Sequence, residues 1–256
     1  MRKVTVTFDS NVWENIVDEK KRSTQKIYGD LYELIKIGTV EPFFFEGIAI
    51  FESIPKNNRK DYIKNYKATN FFQVDNEEPH ITKGSDAPEI TNYLQANIPK
   101  ALKLGFKFIK LPRRGAPKLK LEKDYWASDE AYSLDERLDR SFKCARFIES
   151  LGAGKSKLQN RLDGSISIGI VKQTAADANL SEKQYAKDVG EWMDGDALSA
   201  HYGYGIDYFC TNDQGGTGTA SIFSPNNLKK LKDKFGVVVV LPQELLDLLK
   251  ELGTYR

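Results

Sequence analysis

Four acids in this chain occupy positions where a carboxylate needs a physical reason. Asp9 ends the alternating, β-branched run KVTVTF, and Asp213 leaves the run IDYFCTND. Asp196 lies in DALSAHYGYG, and Glu52 follows an apolar turn in GIAIFES. Each has a plainer reading: Asp9 can cap the helix that follows it, and Glu52 can pair with Lys56 or Arg59 on a surface. Three of the addresses nevertheless coincide. Asp9 and Asp213 follow strands, and Asp196 lies on the helical segment feeding the second of these. In open parallel sheets, sites form outside the carboxyl ends of strands. Glu52, on the helix after another strand, can point the same way. Carboxylates gathered there repel one another, and a divalent cation that prefers oxygen ligands, Mg²⁺ or Mn²⁺, relieves the repulsion. With two histidines and two cysteines in all, a Cys/His zinc site is not expected.

Basic residues supply the other half of the chemistry. The net charge is only +2, but Lys100 to Lys123 holds nine basic residues and one acid, Glu122. A solvated lysine-rich face is one reading; a groove that follows a phosphate backbone is the other. Lys110, Arg113, Arg114 and Lys118 are the candidates for such contacts. Divalent ions beside a basic groove suggest phosphodiester hydrolysis. The Gly-Lys-Ser at 154–156 does not make an ATP-binding loop, because the glycine that such a loop needs is replaced by Glu149 and a helix precedes it.

The elements that must position these residues alternate between strand and helix. Strands are expected at 3–8, 39–45, 206–211 and 237–241. Pro42 places the second near an edge or a bulge, and VVVVL reads as fully buried. Helices are expected at 12–21, 23–37, 226–235 and, with Pro242 at its first position, 242–252. A helix within 124–151 should bury Leu134, Leu138, Phe142 and Phe147 or Ile148, and Pro99 should kink or break one over 89–104. A helix opening at Ser181 runs to Trp192 or beyond, and Asp196 begins the next helical turn. Glu46 and Glu52 are about 600° apart around a helix, so only one faces a cleft directly. The pattern argues for an α/β fold with a largely parallel sheet. Residues 1–75 and 185–256 supply it, and 76–184 reads as an insertion or cap. No run approaches the roughly 18 apolar residues of a membrane span. The N-terminus alternates like a strand instead of carrying an apolar signal segment, so a cytoplasmic protein with free, buried thiols is expected.

The segments VTVTFDSNVW, GIAIFES, DALSAHYGYGIDYFCTND and GVVVVLPQELLDLL, in this order, resemble the successive signatures of PIN-domain ribonucleases. The resemblance covers the two terminal regions and implies a three-layer α/β/α domain. It implies Mg²⁺- or Mn²⁺-dependent cleavage of RNA, with Asp9, Glu52, Asp196 and Asp213 as metal-site acids. It makes Ser10 or Asn11 the residue that orients the first Asp, with Glu46 and Asp194 as second candidates and Thr211 and Asn212 as supports at the strand exit. A toxin or defence ribonuclease would add an antitoxin or other protein partner, with oligomeric state open. Two other readings stand beside it: a catalytically weak PIN-like module that binds RNA or a protein, and a structure-specific DNA nuclease. The segment 76–184 departs from the family's usual, shorter form.

Overall fold

The computed structural model describes residues 3–50, 71–74, 81–83, 91–111, 118–120, 123–128, 130–161, 181–215 and 221–253. A five-stranded sheet lies at its centre, all of its strands parallel. The strands are β1 (Val4–Phe8), β2 (Val40–Phe45), β5 (Lys107–Ile109), β7 (Tyr208–Cys210) and β8 (Val239–Val240), in the spatial order β5-β2-β1-β7-β8. A second, three-stranded sheet has the order β4-β3-β6, from Ile81–Lys83, Phe71–Val74 and Lys118–Lys120.

The pleat sends alternate side chains to opposite faces, and each face has its own core. Val4, Val6 and Phe8 of β1, Phe44 of β2 and Cys210 of β7 face one layer of helices. That layer comprises α1 (Ser10–Val17), α3 (Lys26–Lys36), the short α4 (Gly47–Ile50), α5 (Asn92–Leu104) and α10 (Pro242–Glu251). Phe43, Phe45, Ile109 and Phe209 face the other. It comprises α6 (Leu134–Ser150), α7 (Lys155–Arg161), α8 (Glu182–Tyr204) and α9 (Pro225–Phe235). The chain is therefore a three-layer α/β/α fold. The segment 76–184, read from sequence as an insertion, contributes β5 to the central sheet, α5 to one layer and α6 and α7 to the other. No described helix is long and apolar enough to cross a membrane.

Several local expectations are revised. The helix expected at 12–21 is two helices. Asp18 ends α1 and caps α2 (Glu19–Thr24), accepting from the backbone N–H groups of Lys20 and Lys21. Pro99 sits inside α5 without interrupting it. The helix opened by Ser181 runs well past Trp192 and includes Asp196: α8 is one helix of 23 residues, ended by Gly205 at φ +68°. VVVVL is not a fully buried strand, since β8 lies at the sheet edge with Val238 and Val239 half-buried. Pro42 is in β2, which has a strand on each side, but β5 pairs only from Phe43 onward. At Pro42 the outer side of β2 is still open, which is where a residue without an N–H is tolerated.

The connections define a reversal at the centre of the sheet. From β1 the chain steps to β2 and then β5, with α1, α3 and α5 on one face. It then returns past β1 to β7 and β8, with α6, α7, α8 and α9 on the other face. The strand order thus switches direction between β1 and β7, and the crevice that such a switch leaves lies at the carboxyl ends of these two strands.

Candidate functional site

Asp9 and Thr211 occupy that crevice. Asp9 follows β1, and its backbone N–H donates to the Cys210 carbonyl at 2.9 Å, tying the end of β1 to β7. Its side chain caps α1 as the sequence allows, accepting from the Ser10 N–H at 2.7 Å. It does more than cap. Its Oδ2 accepts from the Asn11 side-chain amide at 2.9 Å and from the Thr211 hydroxyl at 2.6 Å. Both carboxylate oxygens are therefore held by donors from two different strand ends.

Asn11 and Asn212 clasp the same junction. The Asn11 amide also donates to Thr211 Oγ1 at 3.2 Å, and Asn11 Oδ1 accepts from the Asn212 N–H at 2.9 Å. The Asn212 amide donates to the Asn11 carbonyl at 2.7 Å and to the Tyr28 hydroxyl at 3.0 Å. The Asp213 N–H donates to Thr211 Oγ1 at 3.0 Å, which turns the chain so that the exposed Asp213 follows directly. Asp213 Oδ1 then accepts from the Gly215 N–H at 2.8 Å. Gly215 has φ +60°, and a Cβ there would collide with the Phe223 backbone, so this turn requires glycine.

Asp9 titrates above the usual carboxylate range. Burial is the main cause, and the negative charge of Asp213 adds to it. The hydrogen bonds from Thr211 and Ser10 act in the opposite direction. Two carboxylates are thus close enough to repel, in the crevice that the topology creates.

A second acidic pair lies one strand over. Glu46 follows β2, its N–H donating to the Ile109 carbonyl of β5 at 2.9 Å. Burial pushes its carboxyl up to about 8, and the charge of Asp196 contributes in the same direction. Lys110 and a hydrogen bond from the Leu111 backbone oppose the shift. Asp196 is buried on α8 and accepts from the indole N–H of Trp192, one turn earlier, at 3.0 Å. Asp194 is half-buried on the same helix, and two residues turn it about 200° away from Asp196.

Of the acids named from the sequence, Asp9 associates with Asp213 and Glu46 with Asp196, and Glu14 of α1 also feels the Asp9 charge. Among the described residues, no group of three or more His, Cys, Asp or Glu side chains is placed to share a metal ion. Glu52, Arg113 and Arg114 lie outside the described residues, and of Lys118 only the strand position is described. The donor chemistry of the first pair does fit a hard cation. Mg²⁺ commonly takes one or two carboxylates and keeps several waters, and a ligating carboxylate is normally oriented by outer hydrogen bonds like those on Asp9.

Sequence reasoning missed three participants. Tyr28 anchors Asn212 from α3, and no local spacing announces a partner 184 residues away. Trp192 was legible in principle, because it stands four residues before Asp196 on one helix face. Glu14 of α1 is the third: burial raises its carboxyl above the usual range, and the Asp9 charge adds to this. His201 is not part of the site: it is buried under β1 with Nδ1 3.0 Å from Thr7 Oγ1, and burial lowers its pKa to about 3. It is a neutral packing residue of the α8 layer.

In comparisons with family models, with curated proteins and with solved structures, nothing matches this chain.

Proposed function

We propose that the protein is a metal-dependent ribonuclease of PIN-like type, hydrolysing RNA phosphodiester bonds at the carboxyl edge of the central sheet. The observation that carries this reading is the Asp9–Thr211–Asp213 junction at the topological switch between β1 and β7. Burial first, and the Asp213 charge beside it, raise the proton affinity of Asp9, and a divalent cation would offset both effects. Asp9 and Asp213 would hold the ion, with Glu46 and Asp196 as the neighbouring acids. A bound Mg²⁺ or Mn²⁺ would supply an activated water and neutralise charge building on the phosphate. The chain's own part is positional: Ser10, Asn11 and Thr211 fix the Asp9 carboxylate, and Gly215 fixes Asp213.

Purified protein is expected to cleave single-stranded RNA in Mg²⁺ or Mn²⁺ and not in EDTA. Asp9→Asn is expected to abolish cleavage while circular dichroism and the thermal midpoint show a folded chain. Full activity in Asp9→Asn would overturn the proposal. Preferential cleavage of branched or flap DNA would move the assignment to a DNA nuclease.

A second reading has one observation in its favour. Because no three of the described acids are placed to share a metal ion, a catalytically weak module that binds RNA or a protein through the same edge is consistent with the geometry. RNA binding without cleavage in either metal would select it.

A further inference from the structure

Beside β5 a cleft of about 700 Å³ opens, within the range of pockets that hold a nucleotide-sized ligand. Three lysines line it, Lys107, Lys110 and Lys123, together with the rings of Trp126 and Tyr204. The indole is anchored from behind. Trp126 bridges to Phe108 of β5, and the two ring centroids are 5.9 Å apart. Trp126 is half-buried and lines the cleft. Lys110 Nζ lies over the ring, 4.8 Å from its centroid, a cation–π contact that a stacking base would replace as the ammonium turns to a phosphate.

The charge in this cleft is positive but not uniform. Lys107 is paired with Glu41 at 3.3 Å, and the lining includes the acids Asp124 and Glu130. A long polyanion lying along the whole cleft would meet those carboxylates. One base with one or two phosphates, the base on Trp126 and the phosphates at Lys110 and Lys123, brings far less negative charge to those carboxylates. Lys110 also links the cleft to the acidic edge, since it is the cation acting on Glu46, and its backbone bonds the Tyr204 hydroxyl.

We propose that this cleft is a nucleotide subsite, taking one unstacked base of single-stranded RNA against Trp126 with its flanking phosphates on Lys110 and Lys123. A base in a duplex has both faces stacked and cannot use the indole, whereas a single strand offers every base face. The choice of RNA as ligand rests on the ribonuclease reading.

The test is fluorescence anisotropy with a short labelled oligouridylate in EDTA, where cleavage does not interfere, repeated over a range of salt. Lys123→Ala changes an exposed residue on a short turn and leaves the core untouched. It is expected to weaken binding about threefold to tenfold and to reduce the salt slope by about 0.7. Trp126→Leu is expected to weaken binding about tenfold with the slope unchanged. Wild-type affinity and slope in both variants would overturn the inference. AMP competing as tightly per mole as the oligonucleotide would also overturn it, by making this a free-nucleotide pocket. Cleavage assays in Mn²⁺ separate the two proposals. RNA cleaved with wild-type KM by both variants removes the subsite and keeps the nuclease. RNA bound with the expected losses but never cleaved keeps the subsite and removes the nuclease. No RNA binding by the wild type removes both.

Discussion

The Thr211 hydroxyl has one proton and two lone pairs, and all three are used at the junction of β1 and β7. The proton goes to Asp9 Oδ2, and the oxygen accepts from the Asn11 amide and the Asp213 N–H. Thr211→Val keeps the shape and removes all three bonds. It is expected to lower stability by about 1–3 kcal/mol and cleavage by about 10- to 100-fold, with Thr211→Ser recovering most of both. Urea denaturation and initial rates on RNA measure the two losses. His201 yields a prediction about acid. Its folded pKa is about 3, against 6.5 ordinarily, so between these values the unfolded chain binds the proton and the folded one does not. Stability from neutral His201 is complete above about 6.5 and is lost as pH falls toward 3. From pH 7 to pH 5 this one group should remove about 2 kcal/mol. Glu46 runs the other way: its folded pKa is raised from 4.5 to about 8, so its contribution is greatest at low pH and fades as pH rises through that window. Comparing urea midpoints of the wild type and His201→Gln at the two pH values isolates the histidine. An equal acid loss in both proteins would contradict this.

At the level of elements, α8 is the piece whose packing was least legible. The role of its glycines was not read from the sequence. In the fold they are contact points. Gly195 meets Gly154 so closely that a Cβ on Gly195 would lie 3.0 Å from the Gly154 Cα, and a Cβ on Gly203 would fall on Ser141 Oγ. The same close approach explains why the expected stripe on α6 is displaced. Arg137, Ser141, Cys144, Ala145 and Ile148 face inward, while Leu134 is 48% exposed. Small residues bring the two helices together, and Arg137 stacks its guanidinium 4.3 Å from the Tyr204 ring centroid. A hydrophobicity stripe cannot reveal such an interface, because serine, glycine and arginine carry it. Gly203→Ala is expected to lower stability by about 1–3 kcal/mol, read from a urea midpoint. Gly190→Ala, on the same helix, meets nothing within 4 Å and should be neutral or slightly stabilising.

For the molecule as a whole, the alternation of strand and helix was enough to give an α/β fold with a parallel sheet, because strands buried on both faces and helices with one apolar side leave few other layered solutions. The address of Asp9 and Asp213 was legible for the same reason: both leave strands, and strand ends in such sheets share an edge. The pairing of Asp196 with Glu46 was not, since it depends on how α8 crosses β2 and β5. Nor was the membership of β5, a three-residue strand in a lysine-rich stretch. The two cysteines give this architecture a use of their own. Cys144 belongs to the core of the α6–α9 layer and Cys210 to the core of the opposite one, and both are free. Burial raises the Cys144 thiol to about 12 and the Cys210 thiol well above its usual value, so neither forms the reactive thiolate until its surroundings open. Alkylation followed by peptide mass mapping would therefore time the exposure of each layer separately, without any introduced probe. Gly203→Ala should speed modification of Cys144 ahead of Cys210, and equal acceleration would mean that both layers come apart in a single step.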